Sequence, residues 1–200
     1  MKDFFSPKRL AKMGILAALA FVLYLINIPM PFLFPAFLEI NLSDFPALIG
    51  GFSMGPISGS IIVLVKILIK LPFTSTVGVG ELSDLVNGLA LVIPSSIIYK
   101  YHKTKKGALI GLLIGSLASI VTAVFCNLFI MIPLYLNRMG LQLGQIVAMC
   151  PPMFKVTEEN FYTYYTFLAV IPFNLLRCLL AGTVTFFVYK RLTGLMNKLD

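Results

Sequence analysis

Near the end of the chain, Ile171-Pro172-Phe173-Asn174-Leu175-Leu176-Arg177 places an amide and a guanidinium one helical turn apart inside an otherwise apolar run. An arginine in a lipid-embedded helix costs about 2.5–3.5 kcal/mol even on the mildest scale, so it marks a functional site that faces the protein interior. Amides offer donors and acceptors and a guanidinium offers donors alone, the groups that bind hydroxyls and carbonyls. Asp44, Lys66, Lys70, Asp84 and Asn127 are further polar residues within apolar stretches. Catalysis is not expected, because the single histidine, His102, falls in a basic turn, away from any nucleophile or base. Cys126, Cys150 and Cys178 are odd in number and lack metal-ligand spacing, so neither a disulfide framework nor a metal site is expected. No G-x-x-x-x-G-K-[ST] segment occurs, so any energy from ATP has to come through a partner.

The elements that position these residues must lie in a membrane. The 200 residues are 58% hydrophobic and 12% charged, with a mean hydropathy of +0.94. This composition defines an all-α integral membrane protein, one bundle over 1–200 with no room for a second, soluble domain. The net charge of +8 does not indicate nucleic acid, because the basic residues follow the apolar runs. Lys2, Lys8, Arg9 and Lys12 precede the first run, Lys100, Lys103, Lys105 and Lys106 fill the middle turn, and Lys190, Arg191 and Lys198 close the chain. By the positive-inside rule these loops are cytoplasmic, which puts both termini inside and requires an even number of spans. The run 13–28 has no convincing cleavage site, so it reads as a retained first helix and not as a signal peptide.

Six transmembrane helices are predicted near 9–28, 43–54, 56–71, 81–99, 107–135 and 170–190. Ser43-Asp44 is an N-cap pair, Gly55-Pro56 a breaker, and Thr74-Ser75-Thr76-Val77-Gly78-Val79-Gly80 a loop leading into the fourth helix. A long outer loop fills 137–159, and Pro172 is placed in the first turn of the last helix, where its missing N–H costs nothing. At 1.5 Å per residue, Asn127 lies about 30 Å up the fifth helix, and Asp44, Lys66, Lys70, Asp84, Asn174 and Arg177 fall in the outer half. Two readings stay open. The polar groups pair among themselves, for instance Lys66 with Asp84, and hold the helices together. Alternatively they form the base of an outward pocket for a flat polar organic ligand, with Phe32, Phe34 and Phe37 at its mouth. The chain shows neither the repeated pore charge of a channel nor the two related halves of many secondary transporters. Ala11, Gly14, Ala17, Ala18 and Ala20 give the first helix a small-residue face suited to close helix approach.

The blocks Ser43-Asp44-Phe45-Pro46-Ala47-Leu48-Ile49-Gly50-Gly51, Gly55-Pro56, Gly80-Glu81, Asn127 and Pro172-Phe173-Asn174 resemble the riboflavin-specific S component of energy-coupling-factor (ECF) vitamin transporters. The resemblance covers nearly the whole chain. It implies a six-helix protein of a prokaryotic plasma membrane that captures riboflavin, with its monophosphate as a further candidate, from outside. It also implies partners: an EcfT-type transmembrane coupling subunit, facing Gly14, Ala17 and Ala18, and two cytoplasmic ATPase subunits. Riboflavin would be cargo, with no catalytic cofactor. Asn127, Asn174 and Arg177 match the positions that bond the ribityl chain, with arginine where the family usually has lysine. Phe34, Phe37, Asp44, Lys66, Glu81 and Asp84 are further ligand candidates, and Ile67 and Asp84 stand where the family tends to have asparagine. An S component for a different vitamin, and a stand-alone permease or membrane structural subunit, are the alternatives.

Overall fold

The computed structural model describes residues 6–74 and 76–198, so Lys2 and Ser75 lie outside the described residues. Helix α1 spans Pro7–Leu25, with Pro7 presetting the helical φ of its first turn. A two-residue ribbon follows, β1 (Ile28–Pro29) antiparallel to β2 (Glu39–Ile40) with Ile28 opposite Ile40. Helix α2 runs Asp44–Met54, and Gly55, at φ +93°, turns the chain into α3, Pro56–Lys70. Of α2, Asp44 and every residue from Pro46 to Phe52 are buried. A helix apolar on all sides must be enclosed, and α2 packs against α1, α3, α4 (Val79–Tyr101) and α9 (Ile171–Lys198). Its N-terminus therefore starts inside the fold and takes Asp44 with it.

Helix α4 and α5 (Lys105–Cys126) form a hairpin through the basic turn, where the Thr104 side chain accepts from the Gly107 N–H. Close approach needs small residues on α5: a Cβ on Gly111 would stand 2.7 Å from the Ser95 carbonyl oxygen, and one on Gly115 would meet Ser95 Oγ and the Leu91 carbonyl. Helix α5 continues through a π-helical turn, Asn127–Met131, into α6, Ile132–Arg138. The last helix is built the same way, from α8 (Phe161–Tyr164) through a π turn (Tyr165–Val170) into α9. Each π turn is followed by a proline in the next helix, Pro133 and Pro172. A proline ring clashes with the carbonyl four residues back and brings no donor, and the wider turn lets the helix pass through it unbroken.

The last helix thus begins at Phe161 and not near 170, because Pro172 is an interior proline and not a first-turn one. Arg177 lies near the midpoint of the apolar stretch Phe161–Leu192 and not in one half of it. The expected loop 137–159 contains the tail of α6, a short α7 (Leu143–Ala148) closed by a Gln142–Gln145 capping box, and a turn at Pro152–Phe154. Ser43 occupies the N-cap of α2 but makes no side-chain cap bond. Pro56–Phe73, Val79–Tyr101, Lys105–Arg138 and Phe161–Leu192 are long and apolar enough to cross a membrane, whereas α2 has only 11 residues. The chain is an all-helical membrane protein. The small-residue face of α1 is split: Ala17 and Ala20 are buried within the bundle, while Ala11, Gly14 and Ala18 are exposed. Ala17 therefore drops out as a partner contact.

The basic-turn end is filled by Phe52, Tyr99 and Tyr189, with the Phe52 and Tyr99 rings stacked at 4.4 Å. Arg9 ties α1 to the α2–α3 break through Ser58 Oγ at 2.8 Å and the Met54 carbonyl. The opposite, loop-rich end is left open.

Candidate binding site

At the loop-rich end a cavity of about 340 Å³ lies between α1, α4, the α5–α6 helix, α9 and the segment 36–41. That volume lies in the range of small-molecule sites. Asn127 and Asn174 reach it from two different helices by the same device. Each donates its Nδ2 to the carbonyl four residues back in its own helix, Ala123 at 2.8 Å and Val170 at 2.9 Å, which fixes the amide plane. The Asn127 Oδ1 accepts from the Tyr165 hydroxyl at 2.7 Å, a bond that ties the two π turns together. The Asn174 Oδ1 is buried and has no partner among the described residues.

Arg177 also lines the cavity, but it is not a lone cation. Its Nη2 meets Asp44 Oδ2 at 2.7 Å and its Nη1 meets Asp84 Oδ1 at 3.0 Å. Lys66 approaches the other Asp44 oxygen at 2.6 Å and donates to Ser43 Oγ at 2.7 Å. Two cations and two carboxylates thus form one neutral chain across α2, α3, α4 and α9. The expected pairing of Lys66 with Asp84 is corrected: Lys66 belongs to Asp44, because α2 inserts its N-terminus between α3 and the cavity. Gly88 leaves room for this, since a Cβ there would stand 3.2 Å from Asp44 Oδ1. Asp44 and Lys66 sit behind Arg177 and do not line the cavity, so neither is placed to touch a ligand.

Glu81 and Asp84 do line it, from the first two turns of α4. Glu81 Oε2 accepts from Thr74 Oγ1 at 2.7 Å and Thr76 Oγ1 at 3.2 Å, which folds the α3–α4 loop onto the rim. The Tyr24 ring lies 5.6 Å from both Lys66 Nζ and Lys70 Nζ. Among the three phenylalanines expected at the mouth, only Phe37 lines the cavity, beside Tyr135 with ring centroids 5.5 Å apart. Phe34 is buried against Phe173, edge to face at 5.4 Å, beneath the ribbon, and Phe32 is exposed. These two positions are corrected, because the ribbon turns the loop so that Phe34 faces the core.

Lys70, expected in the outer half, lines the cavity, and Tyr24, Asn27, Asn87 and Tyr135, which the sequence reading does not single out, line it too. For Asn87 the signal was present: Glu81, Asp84 and Asn87 recur every three residues and form a polar stripe on an apolar helix. Asn27 follows the end of α1, where helical periodicity carries no information.

A helical membrane protein enclosing a cavity of aromatic rings and converging amides has the form of a binding component for a small polar organic molecule. The chain belongs to the family described as "ECF transporter, substrate-specific component", whose profile matches residues 8–189. It is 30% identical over 193 residues to the riboflavin transporter RibU of Staphylococcus aureus (strain TCH60), covering 96% of this chain and 94% of that protein. It is 30% identical over 131 residues to the riboflavin transporter FmnP of Bacillus subtilis (strain 168), covering 64% of this chain and 68% of that one. A solved chain described as the S component of a bacterial ECF transporter superposes with a TM-score of 0.73 at 28% identity, over 94% of this chain and 97% of that one. The family is one of transporter components, not of enzymes.

Proposed function

We propose that this chain captures riboflavin from outside a prokaryotic cell, in the cavity at the loop-rich end, and releases it inward when partner subunits hydrolyse ATP. The observation that carries the reading is the convergence of Asn127, Asn174 and Arg177 from two helices onto one cavity. The names of the S. aureus and B. subtilis relatives support the vitamin. In this reading α1 to α4, α5–α6 and the last helix are the six membrane-embedded helices, with α2 too short to cross alone, and both termini and the basic turn are cytoplasmic. A transmembrane coupling subunit packs on the exposed Gly14 and Ala18, and two cytoplasmic ATPases supply the energy.

The ribityl hydroxyls donate to Asn174 Oδ1 and accept from Arg177 and Asn127, while the isoalloxazine ring lies against Phe37 and Tyr135 near the start of α4. A buried acceptor without a partner costs about 1–3 kcal/mol, so binding that satisfies Asn174 Oδ1 recovers a penalty already present in the empty protein. Purified protein is expected to quench riboflavin fluorescence and to carry the yellow ligand from riboflavin-rich cells. Asn174→Ala should raise the Kd about tenfold while leaving the unfolding temperature within a few degrees. A colourless preparation that does not quench riboflavin would sink the proposal.

A further inference from the structure

Riboflavin and its 5′-phosphate differ by a group carrying about −1.5 to −2 charges near neutral pH, and the cavity is built unevenly with respect to that difference. Three carboxylates line it, Glu39, Glu81 and Asp84, against two cations, Lys70 and Arg177, for a formal net of −1. Of the two cations, Arg177 has its charge already balanced, because both its terminal nitrogens hold carboxylates at 2.7 and 3.0 Å, although its remaining N–H groups can still donate to hydroxyls. Lys70 donates to the Phe73 carbonyl at 3.1 Å and stands over the Tyr24 ring.

Hydrogen-bonding capacity is uneven in the same direction. Three of the buried side-chain oxygens left without a partner among the described residues line this cavity, Asn27 Oδ1, Asn87 Oδ1 and Asn174 Oδ1, and all three are pure acceptors. Asn87 is held in place by its Nδ2 bond to Ser83 Oγ at 3.2 Å. A polyol or an imide N–H can donate to such oxygens, whereas a phosphate dianion has no proton to offer and needs cations and donors.

From this surplus of acceptors and carboxylates we infer that the cavity selects the uncharged vitamin and rejects its phosphate, with Asp84 as the main discriminating residue and Asn27 and Asn87 as further ligand contacts. The inference rests on the riboflavin reading. Like-charge juxtaposition in a poorly solvated site is costly, so the Kd for riboflavin monophosphate should exceed that for riboflavin by about 100-fold or more. Asp84→Asn removes one negative charge and frees one arm of Arg177, and should narrow that ratio about tenfold. Glu39→Gln, at the exposed residue of β2, alters the same balance without touching the buried ion chain and should narrow the ratio less.

The experiment is fluorescence titration of the full chain and both variants with riboflavin and with its monophosphate, at low and at high salt. Salt screens the charge term, so the ratio should shrink as ionic strength rises while riboflavin affinity holds steady. Absence of riboflavin binding to the unaltered chain would refute the proposed function itself. Riboflavin binding with monophosphate affinity within threefold would overturn the inference alone. So would a large ratio that neither variant nor salt changes.

Discussion

The buried ion chain makes its sharpest prediction at Asp44. Lys66 is fully buried, and its charge partner is Asp44 Oδ1 at 2.6 Å, while Arg177 takes the second oxygen at 2.7 Å. At an effective dielectric of about 20, each contact is worth roughly 6 kcal/mol of gross attraction. Most of that offsets the cost of removing the charges from water, so the intact network adds little net stability, but losing one member exposes the full penalty. Asp44→Asn keeps the shape and deletes the charge, leaving Lys66 without a carboxylate and Arg177 with Asp84 alone. The expected cost is about 3–5 kcal/mol, a fall in unfolding temperature of roughly 6–20 °C for a chain of this size. Adding Lys66→Met should recover most of the loss, because Asp84 and Arg177 then remain as a neutral pair. The assay is thermal unfolding in detergent of Asp44→Asn, Lys66→Met, the double variant and the unaltered chain, read as a double-mutant cycle. A parallel cycle on Lys66 and Asp84 should show little coupling. Asp44→Asn unfolding within about 2 °C of the unaltered chain, or a double variant no better than Asp44→Asn, would refute the network as described.

Three further outcomes follow from packing. Phe34→Ala should cost about 3–5 kcal/mol, because the ring is buried edge-on against Phe173, whereas Phe32→Ala should stay within about 0.5 kcal/mol; thermal unfolding of the pair separates core from surface. Gly115→Val should sharply lower the yield of folded protein in size-exclusion chromatography, since its side chain would meet the Leu91 carbonyl, while Gly14→Ala, with open space around it, should stabilise the isolated chain by about 0.5–1 kcal/mol. Burial pushes the Cys150 thiol up to about 11, so it stays protonated near neutral pH, and alkylating reagents should label it only after unfolding, by mass spectrometry.

Much of the site was legible because its residues are costly where they stand. Asn127, Asn174 and Arg177 were conspicuous as polar groups in apolar runs, and all three line the cavity. The partners of the charged groups were not legible. Periodicity fixes which residues share a face of one helix but not how that helix is rotated or how deep it starts against its neighbours, so Lys66 was matched with Asp84 instead of Asp44. Pro172 misled for a related reason: as a residue type it fits a first turn, and only the π turn beneath it permits an interior place. The two-residue ribbon that turns Phe34 inward has no alternation to detect.

The sequence by itself determined the solvent, the helices and the kind of groups at the site, because transfer free energies and hydrogen-bonding capacity are properties of residue types. Only the tertiary structure decided that Arg177 is held by two carboxylates, that Asp44 and Lys66 stand behind the cavity, and that three amide oxygens left without partners among the described residues face it. Those depend on distances of a few ångströms between helices far apart in the chain, and such distances are set by packing.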